Sequence, residues 1–242
     1  MKENTHIFYC PEARDAEKDQ TVYLDEDEAA HCTRVLRLTA GDEISIIDGF
    51  GKMYNAELVL CTKNAVSARI TEILDDVYLR NYRNHVAIAP TKNIDRFEWF
   101  VEKAVEFGVD EITPLLCDHS ERKVLKLDRI QKIIISAVKQ SGNVIMPILN
   151  DLTPFSTAIS ELQADSKLIA HCEPQHKTFF TENVKKSQSV VTFIGPEGDF
   201  SDREIEMALQ SGYQPVSLGG TRLRTETAGV SVCAFLSCIN NG

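Results

Sequence analysis

Three segments carry residues whose types and spacing could do chemistry. The first is Ile194-Gly195-Pro196-Glu197-Gly198-Asp199-Phe200-Ser201. Its glycines would let backbone approach a ligand closely, and N–H groups of a following helix could receive an anionic group. The run is neither GxGxxG nor a Walker A loop, because no Lys-Ser/Thr pair follows the glycines; an ordinary tight strand–helix turn is the competing reading. The second is Leu218-Gly219-Gly220-Thr221-Arg222-Leu223-Arg224-Thr225-Glu226-Thr227-Ala228-Gly229. Two arginines at a glycine-rich edge suit recognition of an anion or a base. The alternative pairs Arg222 or Arg224 with Glu226 structurally, and Thr225 or Thr227 could cap the helix that follows. The third is Thr91-Lys92-Asn93-Ile94-Asp95-Arg96-Phe97-Glu98, with Lys103 and Glu106 further on. It could present charge beside the other two, or be a solvated first helical turn. GxSxG, HExxH, DxDxDG and paired Cys–His constellations are absent, and the six histidines are dispersed.

Those segments need elements to hold them. Residues 1–75 predict a small β-rich unit with one helix. Asp25 and Glu28 have capping-box spacing, and Ala29–Leu38 carries helical periodicity. Glu43–Asp48, Met53–Leu60 and Ala65–Leu74 read as strands, with a hairpin signal at Asp48–Gly51; strands so spaced suggest a small barrel. From about residue 84 the rhythm changes. Strands are predicted at His85–Pro90, Glu111–Leu116, Lys167–His171, Val190–Ile194 and Pro215–Leu218. Helices are predicted at Ile94–Phe107, Asp128–Ser141, Phe155–Leu162 and Gln175–Lys186, then from Ser201, which with Glu204 forms a capping box, to Gly212, and at Glu226–Asn240. Strands alternating with helices argue for a mostly parallel sheet covered on both faces, whose carboxyl edge binds ligands. The domain boundary is expected near Asp75–Asn84.

Composition sets the limits. The chain has 242 residues, 43% hydrophobic and 26% charged, the mix of a globular protein. No stretch approaches the roughly 18 apolar residues of a membrane helix, and the charged N-terminus lacks the apolar core of a secretory signal, so a cytoplasmic protein is expected. Seven scattered cysteines without a CxxC pair argue against a zinc site and for reduced thiols, and no metal is expected. The net charge of −10 is a poor prior for a nucleic-acid binder. Basic groups nevertheless cluster locally: Arg34 with Arg37, Arg80 with Arg83, and Arg122, Lys123, Lys126, Arg129 and Lys132. Solvated faces balancing nearby carboxylates are the alternative.

The runs GPEGDFSDREIE and LGGTRLRTETAGVSV resemble the two ligand loops of SPOUT-class methyltransferases, most closely the RsmE family. The resemblance continues through Thr91–Gly108, Ser120–Lys123 with Gln140–Gly142, and His31–Arg37 with Gly41-Asp42, and so spans nearly the whole chain. It implies a PUA-like β-barrel RNA-binding domain at 1–75 and, at 76–242, a SPOUT-type α/β methyltransferase domain with a C-terminal trefoil knot. Chains rarely knot, so the knot rests on the resemblance alone. It also implies a homodimer that uses S-adenosylmethionine to methylate N3 of a specific uridine of 16S rRNA in the small ribosomal subunit (the family target is uracil 1498). Carried over, the cofactor cradle is Gly195, Pro196, Glu197 and Gly198, then Leu218 and Gly219, then Leu223, Arg224, Thr225 and Ala228, with His171 near its rim. Arg224 or Arg222 would hydrogen-bond the uracil carbonyls, and Glu226, or a water it positions, would accept the N3 proton. Arg34, Arg37, Lys92, Arg96, Arg122 and Lys126 would contact RNA. The chain departs from the family at Asp199, often glycine, and at Asn143, usually basic. Rival readings are a ribose 2′-O-methyltransferase on the same fold, a noncatalytic RNA-binding protein and, without GxGxxG, a dehydrogenase.

Overall fold

The computed structural model describes residues 6–62, 65–74, 80–172 and 177–241. It divides into two compact units, 1–79 with 138–146, and 80–137 with 147–242.

In the first unit, strands β1 (Ile7–Tyr9), β2 (Thr21–Leu24), β3 (Glu43–Ile47), β4 (Met53–Cys61) and β5 (Val66–Leu74) form one sheet in the order β1-β3-β4-β5-β2. Alternation places Phe8, Val22, Leu24, Ile44, Ile46, Ala56, Leu58, Ala68 and Ile70 in one buried cluster with Cys10 and Cys32. Helix α1 (Glu26–Ala30) starts at Asp25, whose carboxylate accepts the Glu28 amide at 2.8 Å. The reciprocal half of the box does not form. Glu28 is buried and instead pairs with Lys139 at 2.6 Å. The helix expected to run to Leu38 changes winding earlier. Thr33 Oγ1 donates to the Ala29 carbonyl at 2.8 Å, Leu36 N reaches back five residues to His31 O, and His31–Val35 is one wide π turn. Arg37 then takes a left-handed φ of 57°, and Arg34 and Arg37 are both exposed.

The second unit is built on β6 (Arg83–Ile88), β7 (Glu111–Leu116), β8 (Ile148–Leu149), β9 (Thr153–Pro154), β10 (Ser166–Ala170), β11 (Thr178–Phe179), β12 (Ser189–Ile194) and β13 (Gln214–Ser217). The sheet runs β11-β13-β10-β12-β6-β7-β8, with β9 beside β7, and the pairings in this path are parallel. Helices are α2 (Ile94–Glu106), α3 (Leu127–Ser141, whose last turn belongs to the first unit), α4 (Phe155–Glu161), α5 (Asp202–Gln210) and α6 (Thr225–Asn241). Near-continuous apolar strands are what a sheet covered on both faces requires. One face packs Ala87, Leu115, Ile169, Val191 and Phe193 against Phe155, Ile159, Ile205 and Ala208 of α4 and α5. The other carries α2 and α6, where Gly229 brings α6 against Phe100 of α2 and Ile88 of β6.

Helix α2 ends at Glu106 with Phe107 as its cap, and Gly108, whose φ is 79°, closes it, as the glycine predicted. Of the helix expected at Gln175–Lys186, residues 175 and 176 lie outside the described residues, and the described part is not an α-helix. Thr178 and Phe179 extend the sheet edge beside Val216 and Ser217, and Asn183 Nδ2 folds Phe180–Asn183 into a 3-10 turn by donating to Thr178 Oγ1 and Phe179 O. Phe179 and Phe180 both pack on Phe235 of α6, which holds this edge. Part of the boundary segment, residues 75–79, also lies outside the described residues. Among the described residues no helix is long and apolar enough to cross a membrane, and no cluster of three His, Cys, Asp or Glu could hold a metal ion.

Candidate active site

Because the strands are parallel, the carboxyl ends of β6, β10, β12 and β13 share one edge: Ile194 lies beside Ile88 and Ala170, and Ala170 beside Val216. The three segments singled out from the sequence leave these ends and meet. Thr225 opens α6 but does not cap it. Its buried hydroxyl donates to the Gly195 carbonyl at 3.0 Å and ties the second segment to the first. Glu197 Oε1 accepts the Lys92 amide at 2.9 Å and ties the first to the third.

Between them lies a cleft of about 680 Å³, within the size range of small-molecule and cofactor sites. Of the residues expected to hold a cofactor, Gly195, Pro196, Glu197, Leu218, Gly219, Leu223, Arg224, Thr225 and Ala228 line it, as do Arg222 and Arg96. Gly198 does not. A side chain there would run into His119, whose Nδ1 lies 3.1 Å from the Gly198 and Asp199 carbonyls. Gly195 lines the cleft, but the space its missing side chain would occupy belongs to Phe200, whose ring and amide lie 3.2 Å from that point. The smallness of both glycines therefore serves the turn's own packing, not close approach of a ligand. Nor is the amino end of α5 open to an anion. Ser201 and Glu204 cap it reciprocally, and Ser201 Oγ donates to Asp118 at 2.7 Å.

Asp199 adopts a left-handed φ of 64°, which explains why glycine suits this position. Here the carboxylate stabilises the turn, accepting the Phe200 amide at 2.9 Å and the Cys172 amide at 2.7 Å. The cleft's two carboxylates, Glu197 and Asp199, are thus spent on backbone. Arg222 and Arg224 are exposed and form no ion pair among the described residues. Glu226 pairs with neither. It is 7% exposed, lies outside the cleft lining, and its Oε1 is 3.9 Å from Nε of Arg96.

The first RNA-contact set divides in the same way. Arg122 is held inward, donating to the Thr91 and Lys92 carbonyls at 2.9 and 2.6 Å, and Lys92 pairs with Glu121 at 2.7 Å. Arg129 pairs with Glu98, whereas Lys126 shows no such tie among the described residues. His171, expected near the rim, lines the cleft, and two further lining residues, Cys172 and Lys177, carried no signal in sequence strong enough to assign them. His171 is buried, and burial, then nearby Lys177, holds its pKa below the usual histidine value, against the pull of Asp199. Lys177 Nζ donates to the His171 carbonyl at 2.6 Å. Partial burial, then Asp199, raises the pKa of the Cys172 thiol, which weakens it as a nucleophile. A cleft with basic donors, no activated nucleophile and an apolar wall of Ile194, Val216, Leu218 and Leu223 can bind a planar, partly charged ligand and stabilise developing negative charge.

Known proteins match this arrangement. The family described as RNA methyltransferase domain matches residues 79–237, and that described as RNA methyltransferase PUA domain matches residues 24–71. A probable rRNA-methyltransferase from Porphyromonas gingivalis is 37% identical, with a TM-score of 0.87 over 97% of this chain and 98% of that one. A ribosomal RNA small subunit methyltransferase E from Neisseria gonorrhoeae, solved with S-adenosyl methionine bound, is 28% identical, with a TM-score of 0.88 over 98% of both chains. Its namesake from Synechocystis is 29% identical over 91% of this chain and 74% of that one. With both domains matched, the chain belongs to the ribosomal RNA small subunit methyltransferase E family of RNA methyltransferases.

Proposed function

We propose that this protein is an S-adenosylmethionine-dependent methyltransferase that methylates N3 of a uridine of 16S rRNA in the small ribosomal subunit. The observation that carries this reading is the Thr225–Gly195 tie, which holds the β12 and β13 loops around one cleft lined by two arginines that form no ion pair among the described residues. The cleft fits the cofactor: its volume is sufficient, and Leu218, Leu223 and Ala228 supply apolar surface for an adenine ring beside the backbone of Gly195–Glu197. When bound, the cofactor supplies an electrophilic methyl group. The protein's own residues must then hold the uracil and ease loss of its N3 proton, since uracil is mostly protonated at neutral pH. Arg224, with Arg222 beside it, donates to the uracil carbonyl oxygens as charge grows there. Orientation by such contacts is a large lever, up to about 7–11 kcal/mol in favourable intramolecular systems.

The wider reading is a PUA-like domain at 1–75 that binds RNA through Arg34 and Arg37, and a methyltransferase domain at 76–242 whose C-terminal part is threaded as a trefoil knot. It is completed by a homodimer working in the cytoplasm. The test is tritiated methyl transfer to small subunits from a strain lacking the gene, followed by nucleoside digestion and mass spectrometry. N3-methyluridine is expected, and a 2′-O-methylated nucleoside would overturn the reading. Arg224→Ala should cut turnover far more than cofactor affinity; wild-type turnover would remove Arg224 from the mechanism.

A further inference from the structure

Glu226 is poorly satisfied beside the cleft. Among the described residues its buried Oε2 has no hydrogen-bond partner, and its nearest cation is Arg96, 3.9 Å away across the α2–α6 packing. A carboxylate so placed is costly unless a cation stays beside it. Arg96 is 42% exposed at its side chain and lines the cleft. Its nearest atom to Glu226 is Nε, and among the described residues no protein acceptor takes its Nη atoms. A guanidinium with a carboxylate nearby and its Nη donors unused is suited to a planar oxygen acceptor.

We infer that Arg96 is a catalytic residue that donates to a carbonyl oxygen beside N3 of the target uracil, and that Glu226 is a positioning residue that holds Arg96 there and is not the proton acceptor. This rests on the methyltransferase reading above. Two observations separate the roles: Glu226 is buried off the cleft lining, whereas Arg96 shares that lining with Arg224. The N3 proton leaves to solvent, and the charge it leaves behind falls between the donors Arg96 and Arg224.

The test compares Arg96→Ala, Arg96→Lys and Glu226→Gln, with cofactor affinity measured by calorimetry and turnover on unmodified small subunits. Loss of one charge-stabilising donor costs on the order of 100-fold in kcat. Arg96→Ala should show that loss with cofactor Kd unchanged, and its kcat should rise with pH at a higher pH than in wild type, because the uracil anion has lost a donor. Arg96→Lys keeps the charge without the fork and should recover only part of the rate. Glu226→Gln should lower kcat, and adding it to Arg96→Ala should cost nothing further. A raised KM for subunits with intact kcat in Arg96→Ala would make Arg96 a phosphate contact and overturn the inference. So would an inactive Glu226→Gln beside an active Arg96→Ala, which would make Glu226 the working group. Absence of N3-methyluridine from wild-type reactions would instead sink the functional reading itself.

Discussion

Replacing Gly229 with alanine sets two opposing terms against each other. In a helix interior, Gly→Ala ordinarily stabilises by about 1 kcal/mol. In α6, however, the new methyl would lie 2.5 and 2.6 Å from ring carbons of Phe100 and 2.8 Å from Cδ1 of Ile88. Both neighbours are fully buried, so the ring has nowhere to turn. Overpacking of this kind costs about 1–3 kcal/mol, and contacts this short place it at the upper end. The clash therefore wins, with a net loss of about 2 kcal/mol. At about 2–4 °C per kcal/mol for a chain of this size, Tm should fall by about 4–8 °C in a calorimetric scan. Phe100→Leu is the control. It removes the ring edge and leaves only the contact with Ile88, so in that background Gly229→Ala should cost less than in wild type. A raised Tm for Gly229→Ala in the wild-type background would refute the close α2–α6 crossing. The same displacement moves Glu226, one turn earlier on α6, away from Arg96, so turnover should fall while cofactor affinity holds.

Thr225→Val keeps the side-chain shape but strips the donor from the Gly195 carbonyl, a loss of about 1–3 kcal/mol in a buried setting. Cofactor Kd by calorimetry should rise about tenfold, equivalent to 1.4 kcal/mol, and unchanged Kd and Tm would show that the tie does not hold the loops. Arg122→Ala should lower Tm and cofactor affinity because its guanidinium holds Thr91 and Lys92, whereas Lys126→Ala should reduce the log–log salt slope of RNA binding by about 0.7–0.9. Equal salt-slope changes for both would contradict the inward role of Arg122. Burial holds His85 below the usual histidine pKa of 6.5, although Glu111, 3.6 Å away, pulls the other way. A depressed histidine stabilises above its unfolded pKa and loses that contribution as pH falls below 6.5 toward the folded value. Urea unfolding at pH 7 and pH 5 should therefore show a larger loss for wild type than for His85→Gln, and parallel losses would exclude the histidine.

What can be read along the chain is what local chemistry controls. The box of Ser201 and Glu204 with Gly212 marks α5 because each contact lies within one turn. The apolar runs ending at Ile88, Leu116 and Ile194 mark buried parallel strands because both faces must be covered. The loop residues Gly195–Glu197 and Leu218–Thr225 stand out by type and meet at the cleft. Where a local signal competes with a distant partner, it misleads. Thr225 satisfies a carbonyl 30 positions away instead of its own helix end, and Glu28 takes Lys139 over its capping role. Phe179 and Phe180 join a sheet edge because β13 and Phe235 are there to receive them.

The sequence alone determined most strands and helices of the second unit, its parallel α/β character and which loop residues stand out by type. These follow from periodicity, caps and residue type, all of which act over a few residues. Only the tertiary structure decided which groups are free to act. Arg122 is consumed on backbone carbonyls, Gly195 and Gly198 make room for Phe200 and His119, and Arg96 lines the cleft with Glu226 3.9 Å from its Nε. Pairing across 30 to 130 positions depends on which strands end side by side, and one-dimensional spacing does not carry that information.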